Sequence, residues 1–252
     1  MLITDPAFYA VAVPAVLLVG ISKSGFGSGF GALGVPLMAL VVPVPQAVAI
    51  MLPLLLVMDA LGLKALWRAR DAALLRLLVP AGLLGTLLGA ALFKLLSAPT
   101  VAAMVGAITL VFLAIRKGWP PREDAKLPHR GLGMGLAALS GFTSFVAHAG
   151  GPPIGFFMLP LKLAPLRFTA TMAVFFAAIN AAKWLPYAWL GLIDSTNMTT
   201  AAMLLPAAPL GVWLGLRVGR WISARHFYQV FELGLLLTGA KLLWDGLKPL
   251  LG

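Results

Sequence analysis

The sequence predicts an all-α polytopic membrane protein made of two inverted-topology repeats, with about eight full spans of roughly 20 apolar residues each, plus short broken or re-entrant helical segments. Three observations carry that expectation. Of 252 residues, 61% are hydrophobic and only 11% charged, against about 25% charged in a soluble domain, and mean hydropathy is +0.98. The basic residues lie mostly between apolar segments, the placement that sets membrane orientation. Two glycine-rich stretches also recur in register along the chain.

Composition excludes several function classes. Cysteine is absent, so no disulfide framework, haem attachment or thiolate metal site is expected. His129, His148 and His226 are far apart in sequence, so neither a metal centre nor a cofactor is expected. The net charge of +11 does not point to nucleic acid, because the cations form connections and not a surface stripe. The opening MLITDPAFYA has an acid and no base before Lys23, unlike the basic n-region of a cleaved signal peptide.

The spans follow in order. The first runs over 7–30 and carries Lys23 and the stretch SKSGFGSGFGALGVP (22–36), and a short apolar piece follows at 31–42. Span 46–67 ends at a cluster of Arg68, Arg70 and Arg76, and span 73–95 contains PAGLLGTLLG (80–89). Span 99–116 ends at RKGWPPREDAKLPHR (116–130), the longest polar stretch. The second half repeats the plan, with 131–148, a short piece at 150–160, then 168–190, 200–219 and 227–247. The organisation read here is repeat 1 over 1–118, a cytoplasmic linker over 119–130 and repeat 2 over 131–252. Placing basic loops in the cytoplasm puts 68–72, 116–130, 160–167 and 217–226 inside. It puts 43–45, 97–99, 191–199 and both termini outside, although Lys241 and Lys248 run against an outside C-terminus.

Shifting the sequence by 116 residues lays Ser24, Gly25, Phe26, Ser28, Gly34 and Pro36 on Ser140, Gly141, Phe142, Ser144, Gly150 and Pro152. A shift of 126 lays 80–89 on PAAPLGVWLG (206–215). The first half starts outside and ends inside and the second does the reverse, which is the arrangement of inverted-repeat transporters. If both short segments cross, each half has five crossings.

The glycine stretch is not a phosphate loop, since Lys23 precedes the glycines and no strand–helix unit flanks them. In a membrane, small residues let helices approach closely, as expected for Gly85 and Gly89. Glycine and proline also break helices, and the freed backbone groups are tolerated where they face protein or a wet cavity. Helix N-termini in such breaks present donors to an anion.

With a G-F-x-S segment opening each half and ending in proline, Gly27-Ser28-Gly29-Phe30-Gly31 in one and Ala149-Gly150-Gly151-Pro152 in the other, the chain resembles the sulfite exporter TauE/SafE family (4-toluene sulfonate uptake permeases) over nearly its whole length. The resemblance implies a multi-pass carrier of the bacterial inner membrane, not an enzyme, moving sulfite, sulfonates or related small anions. Family members commonly show a denser G-x-G-G-G segment than this chain does.

Charged groups inside spans tend to line cavities or paths. The candidate substrate-binding residues are Lys23, Ser24, Gly27, Ser28 and Gly29 in the first half, and Thr143, Ser144, His148, Gly150, Asn180 and Lys183 in the second. Lys23 either draws an anion or snorkels to water. His148 either donates to an anion and exchanges a proton, or is a buried neutral histidine held by a backbone carbonyl. Asn180 and Lys183 are three apart and share a helix face. Asp59 and Lys64, five apart, do not, so Asp59 pairs across helices or carries a coupling proton. The expected activity is secondary transport by alternating access around the paired breaks. The expected partners are a small anion and the lipid bilayer, with a proton as the coupling ion and no nucleic acid. An anion channel of the same fold and a non-transporting scaffold are the alternatives.

Overall fold

The computed structural model describes residues 3–25, 31–118, 129–218 and 224–251. They form helices joined by short turns, with no strand among them. α1 (Pro6–Gly25), the short α2 (Gly34–Met38), α3 (Val44–Leu66), α4 (Ala72–Phe93) and α5 (Ala98–Gly118) make up the first half. α6 (Arg130–Ala147), the short α7 (Gly151–Met158), α8 (Pro165–Trp189), α9 (Ser195–Leu204), α10 (Ala207–Val218) and α11 (Ala224–Leu251) make up the second.

Local chemistry explains the boundaries. Asp71 caps α4, accepting from the amides of Ala73 and Leu74 at 3.0 Å, and Asp194 caps α9 through Asn197 N at 2.8 Å. The segment expected as one span over 200–219 is two helices, α9 starting at its Asp194 cap and α10 following a turn at Leu205–Pro206. Of the span expected over 7–30, α1 is described to Gly25, residues 26–30 lie outside the described residues, and a short helical turn begins at Gly31.

Among the described residues, six helical segments are long and apolar enough to cross a membrane: Pro6–Ser24, Val44–Lys64, Ala72–Phe93, Ala98–Ile115, Pro165–Trp189 and Ser195–Arg217. Eight were expected. The two segments outside the six are diluted by polar and small residues: α6 by Arg130 with its glycines and hydroxyls, α11 by Glu232, Lys241 and Asp245. Lys241 of α11 pairs with Asp245 one turn on, at 2.5 Å. Exposed Trp67 and Trp189 lie at helix ends, under Arg70 and Lys94 respectively, as interfacial aromatics do, and Trp213 within α10 lies under Arg217.

Packing pairs helices of the first half with helices of the second. α1 lies along α10, α4 along α6 and α5 along α11, while α3 and α8 cross at the centre. The pairs are close because glycine allows it: a Cβ on Gly85 would lie 1.8 Å from the Ala138 carbonyl oxygen, and one on Gly20 would lie 2.8 Å from the Gly211 backbone. One apolar cluster joins α1, α2, α3 and the end of α6, and a second joins α4, α6, α7 and α8.

Candidate functional site

Six polar residues, Lys23, Asp59, Asn180, Lys183, Ser144 and His148, form one connected chain across α1, α3, α8 and the end of α6. Lys23, in the last turn of α1, forms an ion pair with Asp59 Oδ1 of α3. The other carboxylate oxygen accepts from Asn180 Nδ2 of α8 at 2.7 Å. One turn on, Lys183 Nζ donates to Asn180 Oδ1 at 3.0 Å. The same ammonium meets the Ser144 carbonyl at 2.7 Å, Ser144 Oγ at 2.7 Å and His148 Nδ1 at 2.9 Å. His148 Nε2 lies 3.0 Å from the Val48 carbonyl.

The proton assignments follow from the partners. A backbone carbonyl only accepts, so His148 carries its proton on Nε2 and turns the Nδ1 lone pair to Lys183. A carboxylate only accepts and an ammonium only donates, so the Asn180 amide is fixed with nitrogen toward Asp59 and oxygen toward Lys183. Lys183 is wholly buried, and Asp59, Asn180, Ser144 and His148 are buried with it.

Each group is placed by its local sequence. Asn180 and Lys183 share a face of α8 through their i, i+3 spacing, as expected. Asp59 pairs across helices, and Lys64 is left exposed at the α3 terminus. His148 ends α6 in the left-handed conformation, with φ of 52°, a region where histidine is enriched several-fold among non-glycine residues. The hydroxyls before it hold the break: Ser140 Oγ donates to the Gly150 carbonyl at 2.6 Å, and Thr143 Oγ1 reaches the Ala149 carbonyl at 3.2 Å and that of Leu139 at 2.9 Å. A Cβ on Gly150 would lie 2.6 Å from the Ser140 carbonyl oxygen, so the turn closes only around glycine.

The structure therefore brings together Lys23, Asp59, Asn180, Lys183, Ser144 and His148. Thr143 is spent on backbone carbonyls of the break, and Ser24 Oγ faces the Gly20 and Val212 carbonyls at 2.9 and 2.8 Å, tying α1 to α10. Gly27, Ser28 and Gly29 lie outside the described residues. Sequence reasoning passed over Tyr187, fully buried one turn beyond Lys183, whose hydroxyl donates to the Phe145 carbonyl at 2.8 Å. Its i, i+4 spacing from Lys183 is the signal that places it on the same face.

On one side, the chain of polar groups ends in a cavity of about 260 Å³ beside Lys23 and Asp59, walled by Met58, Leu61, Phe176 and Leu216. On the other, the interior is closed beyond Lys183 by Phe93, Phe145 and Tyr187, stacked edge to face with centroids 5.7 and 4.9 Å apart. Among the described residues, no three His, Asp or Glu side chains gather in a way that could hold a metal ion.

Apolar helices packed around a buried charged chain, reached from a cavity at one end and closed at the other, define a multi-pass membrane protein. The family model for the sulfite exporter TauE/SafE matches residues 12–242, and the chain belongs to that family. The family is one of membrane transporters, so this chain is a membrane permease for sulfite or related anions. No curated protein and no solved structure was found to match it.

Proposed function

We propose that the protein is a secondary transporter of a small oxyanion, sulfite or an organosulfonate, that binds at Lys183 and moves by alternating access. One observation carries this reading: a wholly buried lysine, Lys183, and a partly exposed one at the cavity, Lys23, share a connected network with one carboxylate. Counted formally, Lys23 and Lys183 against Asp59 leave one positive charge in the interior. Charge buried without a counter-charge is expensive, and a bound monoanion supplies the missing one. An oxyanion at Lys183 takes over from the Ser144 carbonyl and His148 Nδ1 as acceptors, while Ser144 Oγ–H turns to donate to it.

The cavity walls Leu66, Thr169 and Leu216 adjoin the connections that carry Arg68, Arg167 and Arg217. With basic loops in the cytoplasm, this conformation faces the cytoplasm, and Phe93, Phe145 and Tyr187 form the external seal. An anion enters past Lys23, passes Asp59 and reaches Lys183. Asp59 carries the coupling proton, since the arriving anion competes with its carboxylate for both lysines.

The inverted duplication has two supports. Exchanging the halves turns the α1–α10 contact into α6–α4 and returns α3–α8 and α5–α11 to themselves. Asp59 and Asn180, hydrogen-bonded to each other, are 121 residues apart, between the shifts of 116 and 126 that align the flanking blocks.

Counterflow tests the function. Proteoliposomes preloaded with unlabelled sulfite should transiently accumulate labelled sulfite, blocked by sulfonate and not by acetate, whereas protein-free liposomes should not. Conductance without counterflow would replace the carrier with a channel.

A further inference from the structure

The Asn180 amide is gripped at both ends, by a carboxylate that can take up a proton and by the cation assigned to the anion. We propose that Asn180 is the positioning residue that couples the two: protonation of Asp59 turns its amide over and releases Lys183 to the anion. The inference rests on the transport reading above and specifies how its binding site is regulated.

The argument is one of donors and acceptors. In the observed arrangement, Asp59 accepts from Lys23 on one oxygen and from Asn180 Nδ2 on the other. When a proton from the cavity settles on Oδ2, that oxygen becomes a donor facing an N–H. The described groups bonded to Asp59 offer no other acceptor, since Lys23 of α1 is an ammonium donor; of the nearby groups, Lys183 of α8 is also a donor and His148 at the α6 end uses its lone pair on Lys183. Lys64 on α3 itself lies at the exposed end. A 180° turn of the Asn180 amide satisfies the new O–H through Oδ1. The same turn sets Nδ2 against Lys183 Nζ, donor against donor.

Lys183 then loses one of its four acceptors and gains a repulsive neighbour, which an anion oxygen relieves. Proton binding at Asp59 therefore favours anion binding at Lys183. By reciprocity, the anion favours the proton to the same extent, and that mutual preference is the thermodynamic requirement of proton–anion symport. Asn180 touches both partners and need not touch the anion.

The test is calorimetric titration of the full chain in lipid nanodiscs with methanesulfonate, which stays ionised across the range, whereas sulfite itself titrates near neutrality. The wild type should bind more tightly at the acid end of a pH series than at about pH 8, with one linked proton allowing at most about tenfold per pH unit. Asn180→Leu should bind with a Kd that differs by less than about twofold between those pH values, whatever its absolute affinity. Asp59→Asn, whose amide imitates the protonated acid as a donor to Asn180 Oδ1, should be equally flat and hold its acidic-pH affinity at about pH 8. A wild-type slope retained in Asn180→Leu would overturn the proposal. So would a slope that persists in Asp59→Asn and disappears in His148→Gln, which would move the proton to His148. Wild type that binds neither methanesulfonate nor sulfite at either pH would remove the anion reading itself, and this inference with it.

Discussion

Replacing Lys183 by methionine tests whether this lysine is an anion ligand or only a strut that caps α6. The side chain keeps its length and loses three charged donors. An oxyanion at the site loses at least one charge-assisted hydrogen bond, worth about 1.5–3 kcal/mol, so its Kd should rise roughly 10- to 150-fold. The protein also bears a cost. Asn180 Oδ1 and His148 Nδ1 lose their donor, whereas the Ser144 carbonyl keeps the His148 amide at 2.9 Å. Two orphaned buried acceptors cost about 1–3 kcal/mol each, and removal of an isolated buried ammonium offsets part of that. The assay is therefore paired: thermal unfolding and methanesulfonate binding on the same nanodisc sample. Folded Lys183→Met protein that binds within about threefold of wild type would refute the assignment of Lys183 as ligand and leave it as a strut.

Three further outcomes follow from the packing. Gly85→Leu pushes side-chain atoms into the Ala138 backbone, where even a Cβ would sit at 1.8 Å; α4 and α6 must part, and the melting temperature should fall by the equivalent of at least about 1–3 kcal/mol of overpacking. Asp71→Ala removes the α4 cap, which should cost about 1 kcal/mol, and also takes the buried partner from the half-exposed Arg167 at 2.8 Å; the melting temperature should fall. Tyr187→Phe strands the Phe145 carbonyl at the end of α6 and should lower the melting temperature by the equivalent of about 1–3 kcal/mol. Its anion affinity should stay within about threefold of wild type, since the hydroxyl bonds to the backbone and not to Lys183.

Much of the site could be read from sequence because charge within apolar segments is rare enough to stand out. Lys23, Asp59, His148, Asn180 and Lys183 were singled out on that ground, and the Asn180–Lys183 contact follows from helical spacing alone. The hydroxyls were less legible. Ser24, Thr143 and Ser144 look alike in sequence, yet the first two bond backbone carbonyls and only the third meets Lys183. Which of them is free depends on where the helix breaks leave carbonyls unsatisfied, a property of backbone geometry. Tyr187 passed unnoticed because an aromatic residue near a span end reads as an interfacial anchor, and only packing shows that it points inward.

The sequence by itself determined that the chain is helical and embedded in lipid, because apolar runs of that length have no other way to satisfy their backbone. It also determined which end of each span carries the cations. Tertiary structure alone decided that Lys23 meets Asp59, 36 residues away, and that Asn180 meets it from 121 away. It likewise decided that helices of the two halves pair crosswise. Those choices depend on the rotation and crossing of helices packed through small residues. A linear pattern shows which face of a helix is polar, but not which other helix that face will meet.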